Sequence, residues 1–249
     1  MRWPGVIQDL ADFCFPTACA VCSAPAETAS TPLCDACLEK LRSLESAAAC
    51  DRCAMPIPEP GSPCPHCLGE GVRPFGRILR LCSYSEPVRH LIHRLKFHRA
   101  WGVGEFLADR AAARPELCDL LAACDAVVPV PLHPFRQMSR GYNQAEVIAR
   151  RLAQLTGKRL IHPAARVAQT DAQTDVQSKA QRVANLRRAF GLLDASSVTG
   201  RRIVVVDDVR TTAATLQAFG RCLSAAKPAS LDAIVIAAAD PKHADFEKI

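Results

Sequence analysis

The apolar positions of this chain follow two periods. Ile203-Val204-Val205-Val206 is an unbroken β-branched run, which predicts a buried parallel strand. It leads into Asp207 and Asp208, then into Thr211-Thr212-Ala213-Ala214-Thr215. Leu216, Phe219 and Leu223 follow at helical spacing. The pattern predicts strand, loop, helix, with two carboxylates at the strand's carboxyl end. Arg77 to Ser83 predicts an edge strand. Val88, Leu91, Ile92 and Leu95 predict the apolar stripe of a helix capped by Ser85, with Pro87 in its first turn. Asp125 to Pro131 predicts a strand that opens into a loop reaching Gln144. Asn143 and Glu146 predict a capped helix start, with Ile148, Leu152 and Leu155 buried. Ala233 to Ala237 predicts a final strand, followed by a polar tail. Strands alternating with helices place the chain in the α/β class.

Trp3, Val6, Ile7, Leu10 and Phe13 predict a short amphipathic helix over 1–16. Between it and the strands lies a different texture. Four CxxC pairs stand before residue 70: Cys19/Cys22, Cys34/Cys37, Cys50/Cys53 and Cys64/Cys67. Each pair can turn two thiolates toward one ion, and a hairpin of about ten residues brings a second pair opposite. The spacing predicts two structural zinc sites over 17–71, arranged in series or cross-braced. A four-thiolate site has no open coordination position, so it carries no catalysis. His66 reads as a turn residue. Gly69, Gly71 and Pro74 mark a linker, with the main domain expected over 72–249.

Composition narrows the setting. The chain has 249 residues, 49% of them apolar, and a net charge of +6. No apolar run approaches a membrane span. Asp9 and Asp12 interrupt the N-terminal apolar pattern, so no secretory signal is visible. Thirteen cysteines, an odd total, argue against a disulfide framework and for a cytoplasmic protein.

The chemistry concentrates at the end of the 203–206 strand. In open α/β sheets the ligand sits beyond the carboxyl ends of the strands. Small-residue amides and a helix N-terminus suit a phosphate, while two carboxylates suit the hydroxyls of an attached ribose. Arg136 and Arg140, on the loop after the second strand, suit pyrophosphate oxygens because a guanidinium forks onto them. Gln173 to Asn185 is polar and basic, with Lys179 and Arg182, and predicts a long mobile loop.

The stretch Asp207 to Thr215 resembles the phosphoribosyl-pyrophosphate (PRPP) motif of type I phosphoribosyltransferases. The order of pieces is similar to the ComF family, including ComFC and the GntX-like proteins. The similarity rests on the four CxxC pairs, Leu91 to Phe97, Val128 through Ala145, Gln173 to Asn185, and Asp207 to Thr215. It implies a mostly parallel, helix-flanked sheet preceded by a double zinc ribbon. It implies that Asp207 and Asp208 hold the ribose hydroxyls. Thr211, Thr212, Ala213, Ala214 and Thr215 would wrap the 5-phosphate of Mg-bound PRPP. Arg136 and Arg140, with Lys96 or Arg182, would stabilise the leaving pyrophosphate. Some family members serve DNA uptake during transformation. Two departures stand out. Ala213 replaces the usual glycine, which predicts a negative φ there. The Gln173 to Asn185 segment is one residue longer than the family pattern.

A competing reading makes the chain a single-stranded-DNA-binding competence protein, with a regulatory or vestigial PRPP pocket. Such binding wants aromatic stacking platforms beside basic residues, and aromatics are only 5% of the chain. A third reading makes the ribbons a docking module for protein partners.

Overall fold

The computed structural model describes residues 18–26, 31–167 and 189–240. The expected helix over 1–16, the Gln173 to Asn185 segment with Arg182, and the tail beyond 240 lie outside the described residues.

Helix α1 (Asp35–Ser46) belongs to the cysteine-rich region. There follow β1 (Ile78–Ser83), α2 (Val88–Phe97), α3 (Trp101–Ala112), α4 (Pro115–Ala123) and β2 (Ala126–Pro129). Then come α5 (Pro134–Arg140), α6 (Gln144–Thr156), β3 (Arg159–Leu160), β4 (Ala164–Arg166) and β5 (Phe190–Leu192). The chain continues through β6 (Arg202–Arg210), α7 (Ala214–Ser224) and β7 (Ser230–Ala238).

Five strands form one parallel sheet in the order β1-β7-β6-β2-β3. Val205 stands beside Val128 on one side and Ala233 on the other. Strands β4 and β5 form a separate antiparallel pair, with Arg166 opposite Phe190.

Alternation along the strands sorts side chains to two faces. Val127, Val204, Val206, Ile234 and Ile236 pack with Leu91, Leu107, Leu121 and Leu152, and with Leu33 and Leu41 of the first cysteine region. Val128, Ile203, Val205, Ala233 and Val235 pack with Leu216, Phe219 and Leu223, and with Cys53 and Met55 of the second. The two cysteine regions therefore cover opposite faces of one sheet, each sharing its apolar core. Burying both faces is what an all-parallel sheet requires, and it explains the unbroken apolar run in β6.

Several expectations need correction. Strand β6 does not stop at the acidic pair. Its pairing with β7 continues through Asp207, Val209 and Arg210. Arg136 and Arg140 lie on helix α5 rather than a loop. Pro134 starts that helix, His133 Nδ1 accepts the Phe135 amide at 3.3 Å, and Gly141, at φ +81°, ends it. Ser85 is not a side-chain cap; Pro87 holds the cap position of α2, and the Ser85 carbonyl accepts the Arg89 amide. Leu155 is 45% exposed. Ala145, Ala149 and Ala153 complete the buried stripe of α6 with Ile148 and Leu152 instead, because small residues let the helix lie close to the sheet.

Candidate functional site

Strand β2 ends at Pro129, which is registered against Val206 within β6. Asp207 and Asp208 follow at once. The Asp208 amide donates to Asp207 Oδ1 at 2.9 Å, and the Val209 amide donates to Asp208 Oδ1 at 2.7 Å. These local bonds fix both carboxylates. Burial, then the charge of Asp208, pushes the Asp207 carboxyl up to about 8. A carboxylate pair held this way calls for hydroxyl donors or a cation.

Thr211 and Thr212 turn the chain into α7, whose N-cap is Ala213. Ala213 has φ +62°, in the left-handed region, so the predicted negative φ is wrong. The turn geometry of a glycine is kept while a methyl is buried against the core. No side chain caps α7, which leaves the first-turn amides of Ala214 and Thr215 to meet an external anion.

Cations surround the acidic pair. Lys96 Nζ, from the last turn of α2, reaches Asp208 Oδ2 at 3.3 Å. Arg140 is half-buried; burial lowers its pKa, while Asp208 raises it and Arg136 lowers it. Its guanidinium lies 5.0 Å over the Phe97 ring, and Nη1 donates to Gln144 Oε1 at 3.3 Å. Lys96, Phe97, Arg99, Arg136, Ser139 and Arg140 line a cavity of about 260 Å³. On the other side, burial lowers the pKa of Arg166, which feels both Arg136 and Asp207. Asn143 braces the site: Oδ1 caps α6 through the Ala145 amide, and Nδ2 donates to the Val130 carbonyl at the end of β2.

The cysteines form two separate clusters, Cys19/Cys22/Cys34/Cys37 and Cys50/Cys53/Cys64/Cys67. Within each, the Sγ atoms all lie within 4.8 Å of one another. Individual separations include 3.5 Å for Cys22–Cys34 and 3.6 Å for Cys53–Cys64. A tetrahedron with metal–sulfur bonds of about 2.3 Å has edges of about 3.8 Å, so both donor sets fit zinc. The arrangement is serial rather than cross-braced. His66 stays outside the second cluster, 4.0 Å from Asp240.

Comparison with known proteins bears on both halves of the chain. The double zinc ribbon domain matches residues 10–68, and the phosphoribosyl transferase domain matches residues 138–248. Competence protein F of Haemophilus influenzae is 30% identical over 213 residues, covering 82% of this chain and 90% of that protein. The chain belongs to the ComF family. Another relative is DNA utilization protein YhgH of Escherichia coli K12, 29% identical over 84% of this chain and 91% of that protein. Competence protein ComFC of Bacillus subtilis is 33% identical over 39% of this chain and 37% of that protein.

Within this ComF-family chain, the fold brings together Lys96, Arg136, Arg140, Asp207, Asp208 and the residues Thr211 to Thr215. Arg182 lies outside the described residues. Sequence reasoning missed Arg166, which sits in a three-residue strand with no periodicity to announce it. Arg99 reads from sequence as one cation in a basic, anion-facing stretch near Lys96, and the approach of α5 to the end of α2 makes it a cavity wall. Among the described residues, no helix is long and apolar enough to cross a membrane.

Proposed function

We propose that this ComF-family protein binds Mg-PRPP at the end of β6. The observation that carries the reading is the Asp207–Asp208 pair lying within a ring of Lys96, Arg140 and Arg166. The carboxylates accept the ribose 2- and 3-hydroxyls. The backbone from Thr211 to Thr215 wraps the 5-phosphate at the uncapped start of α7. Pyrophosphate lies against Arg136 and Arg140, where bidentate contacts are available. Bound Mg²⁺ supplies charge neutralisation on the pyrophosphate.

The chemistry such a site serves is displacement at the anomeric carbon. An acceptor bonds to that carbon, the bond to the pyrophosphate oxygen breaks, and that oxygen takes the electron pair. Lys96, Arg136 and Arg140 stabilise the charge gathering on the leaving group. Asp207 and Asp208 hold the ribose in line. Pyrophosphate release from PRPP, assayed against a panel of nucleobase acceptors, tests this step. Release by the wild type and its loss in an Arg136→Ala, Arg140→Ala variant is the expected result. Release that survives both substitutions contradicts the assignment.

A second reading is favoured by a specific surface. Phe97, Trp101, Phe135 and Met138 are all more than half exposed. Phe97 meets His93 at 4.8 Å with the rings tilted by 46°, and Phe135 lies nearly parallel to His133 at 5.6 Å. Arg99, Arg136 and Arg140 stand among them. Three exposed aromatics, Phe97, Trp101 and Phe135, thus stand among the cations, and that combination suits a single-strand nucleic-acid platform. Together with the names of the relatives, this supports a role in handling single-stranded DNA in the cytoplasm alongside other competence proteins. Oligonucleotide affinity should fall with salt, and the slope should diminish in an Arg99→Ala, Arg136→Ala variant. An unchanged slope would rule this surface out.

A further inference from the structure

Arg80 on β1 and Arg210 on β6 are the two arginines buried among the described residues, 6% and 7% exposed. Neither pairs with a carboxylate among the described residues. Arg80 Nη2 reaches the carbonyls of Ala47 and Ala48 at 3.4 and 3.3 Å, just before Cys50. Among the described residues, Arg80 Nη1 and Arg210 Nε and Nη1 find no hydrogen-bond partner. Burying a guanidinium without an anion is expensive, and these two also repel each other. The charges set against the burial of Arg210 are those of Cys53, Cys64, Cys67 and Cys50. Against the burial of Arg80 stand Cys82 first and Cys53 second. Both arginines lie on the sheet strands beneath the second four-cysteine cluster, whose Cys50, Cys53 and Cys64 are buried in the same core as β6 and β7.

A divalent ion held by four thiolates carries two net negative charges. We propose that Arg80 and Arg210 are the built-in counter-charge of the second zinc site, and that Arg210 thereby ties that site to the Asp207–Thr215 loop. One arginine balances one charge. Arg210 lies two residues beyond Asp208 and directly before Thr211, so the strand end that presents the acidic pair is anchored by the metal's charge. Loss of the ion leaves two uncompensated buried cations beneath that strand end and loosens it. Among the described residues the first cluster has no buried arginine of this kind, and Arg94 reaches its loop through the Ala20 carbonyl at 3.3 Å. The consequence for a ligand rests on the PRPP reading; the metal chemistry does not.

The test uses the full-length protein loaded with cobalt(II), read by its thiolate charge-transfer absorption during competition with a chelator. Arg210→Met and Arg80→Met should each weaken one of the two bound ions by about tenfold and leave the other unchanged. Arg210→Lys, which keeps the charge, should hold metal close to wild type. Adding Cys67→His to Arg210→Met removes one negative charge from the site and should recover affinity, whereas Cys67→His alone should lower it. Wild-type metal retention in Arg210→Met, or a Cys67→His effect of the same sign and size in both backgrounds, overturns the proposal. In the unmodified protein, chelating the second-site ion should raise hydrogen exchange at the β6 amides before those of β2. Exchange at β6 that is indifferent to the metal overturns the coupling even where a methionine variant does not fold. Neither readout involves PRPP, so failure here is distinct from failure of the ligand assignment.

Discussion

Lys96 Nζ lies 3.3 Å from Asp208 Oδ2, with both side chains largely withdrawn from solvent at 17% and 13% exposure. One comes from the last turn of α2 and the other from the end of β6. The pair joins the helix that carries the cationic cavity to the strand that carries the acids. Lys96→Met leaves Asp208 without its nearest cation and should cost about 2 kcal/mol of stability. In a double-mutant cycle with Asp208→Asn, chemical denaturation should show the two losses to be less than additive. Full additivity would mean the pair does no joint work.

Asp207 gives the site a pH dependence with a definite sign. Its folded-state pKa is raised to about 8 by burial and by Asp208, against about 4 in an unfolded chain. Between those values the folded protein keeps a proton that the unfolded chain has lost. Stability should therefore fall as pH rises from about 4 to about 8 and level off above. Asp207→Asn should flatten that slope in thermal melts. Binding of ribose hydroxyls requires the ionised carboxylate as acceptor, so PRPP affinity should rise over the same upper range, with proton release detectable by calorimetry in buffers of different ionisation enthalpy.

Ala213 tests the phosphate turn. An L-residue at φ +62° carries a strain of about 1 kcal/mol, partly offset by its buried methyl group. Ala213→Gly should be neutral or raise stability by about 0.5 kcal/mol and should tighten PRPP binding. Ala213→Val, β-branched at the same φ, should lose about 2 kcal/mol. Equal melting temperatures for the glycine and valine variants would contradict the left-handed conformation.

The reach of the sequence differed from element to element. β6 and α7 were legible because an apolar run and a 3.6-residue stripe each match one burial pattern. The eight cysteines were legible because ligand spacing is a local property. Which pairs share an ion was not, since that depends on how each hairpin closes. Arg136 and Arg140 read as loop residues because α5 has no buried residue to supply a periodic signal. Arg80 looks like one charged residue in an apolar strand, and Arg210 like one more charged residue after the acidic pair. Their meaning depends on the second ribbon lying across the sheet face, a long-range relationship that no local pattern encodes. Ala213 misled because side-chain preference suggested a negative φ, while the turn from strand to helix imposed a positive one.

Gly220 reports on the helix that carries the turn. A Cβ there would stand 2.8 Å from Phe75 Cε2 and 3.0 Å from Pro74 Cδ, and Phe75 is itself buried. Gly220→Ala should destabilise by about 1 kcal/mol despite the better helix propensity of alanine. A gain in melting temperature would show that α7 does not pack so closely.

Metal removal should act on both sheet faces, since each ribbon shares a core with one of them. The protein should contain two zinc ions per chain, as the two four-cysteine sets require. Exhaustive chelation should lower the melting temperature of the whole protein in a single scan, because structural zinc contributes about 10 kcal/mol or more in small modules. An unchanged main transition would mean that the ribbons fold apart from the sheet.

The central claim is tested most directly by titrating Mg-PRPP calorimetrically into the zinc-loaded protein and into an Asp207→Ala, Asp208→Ala variant. Saturable binding to the wild type that disappears in the variant is the predicted result. No binding to the wild type, or equal binding to both, would contradict a ribose-phosphate site at the end of β6.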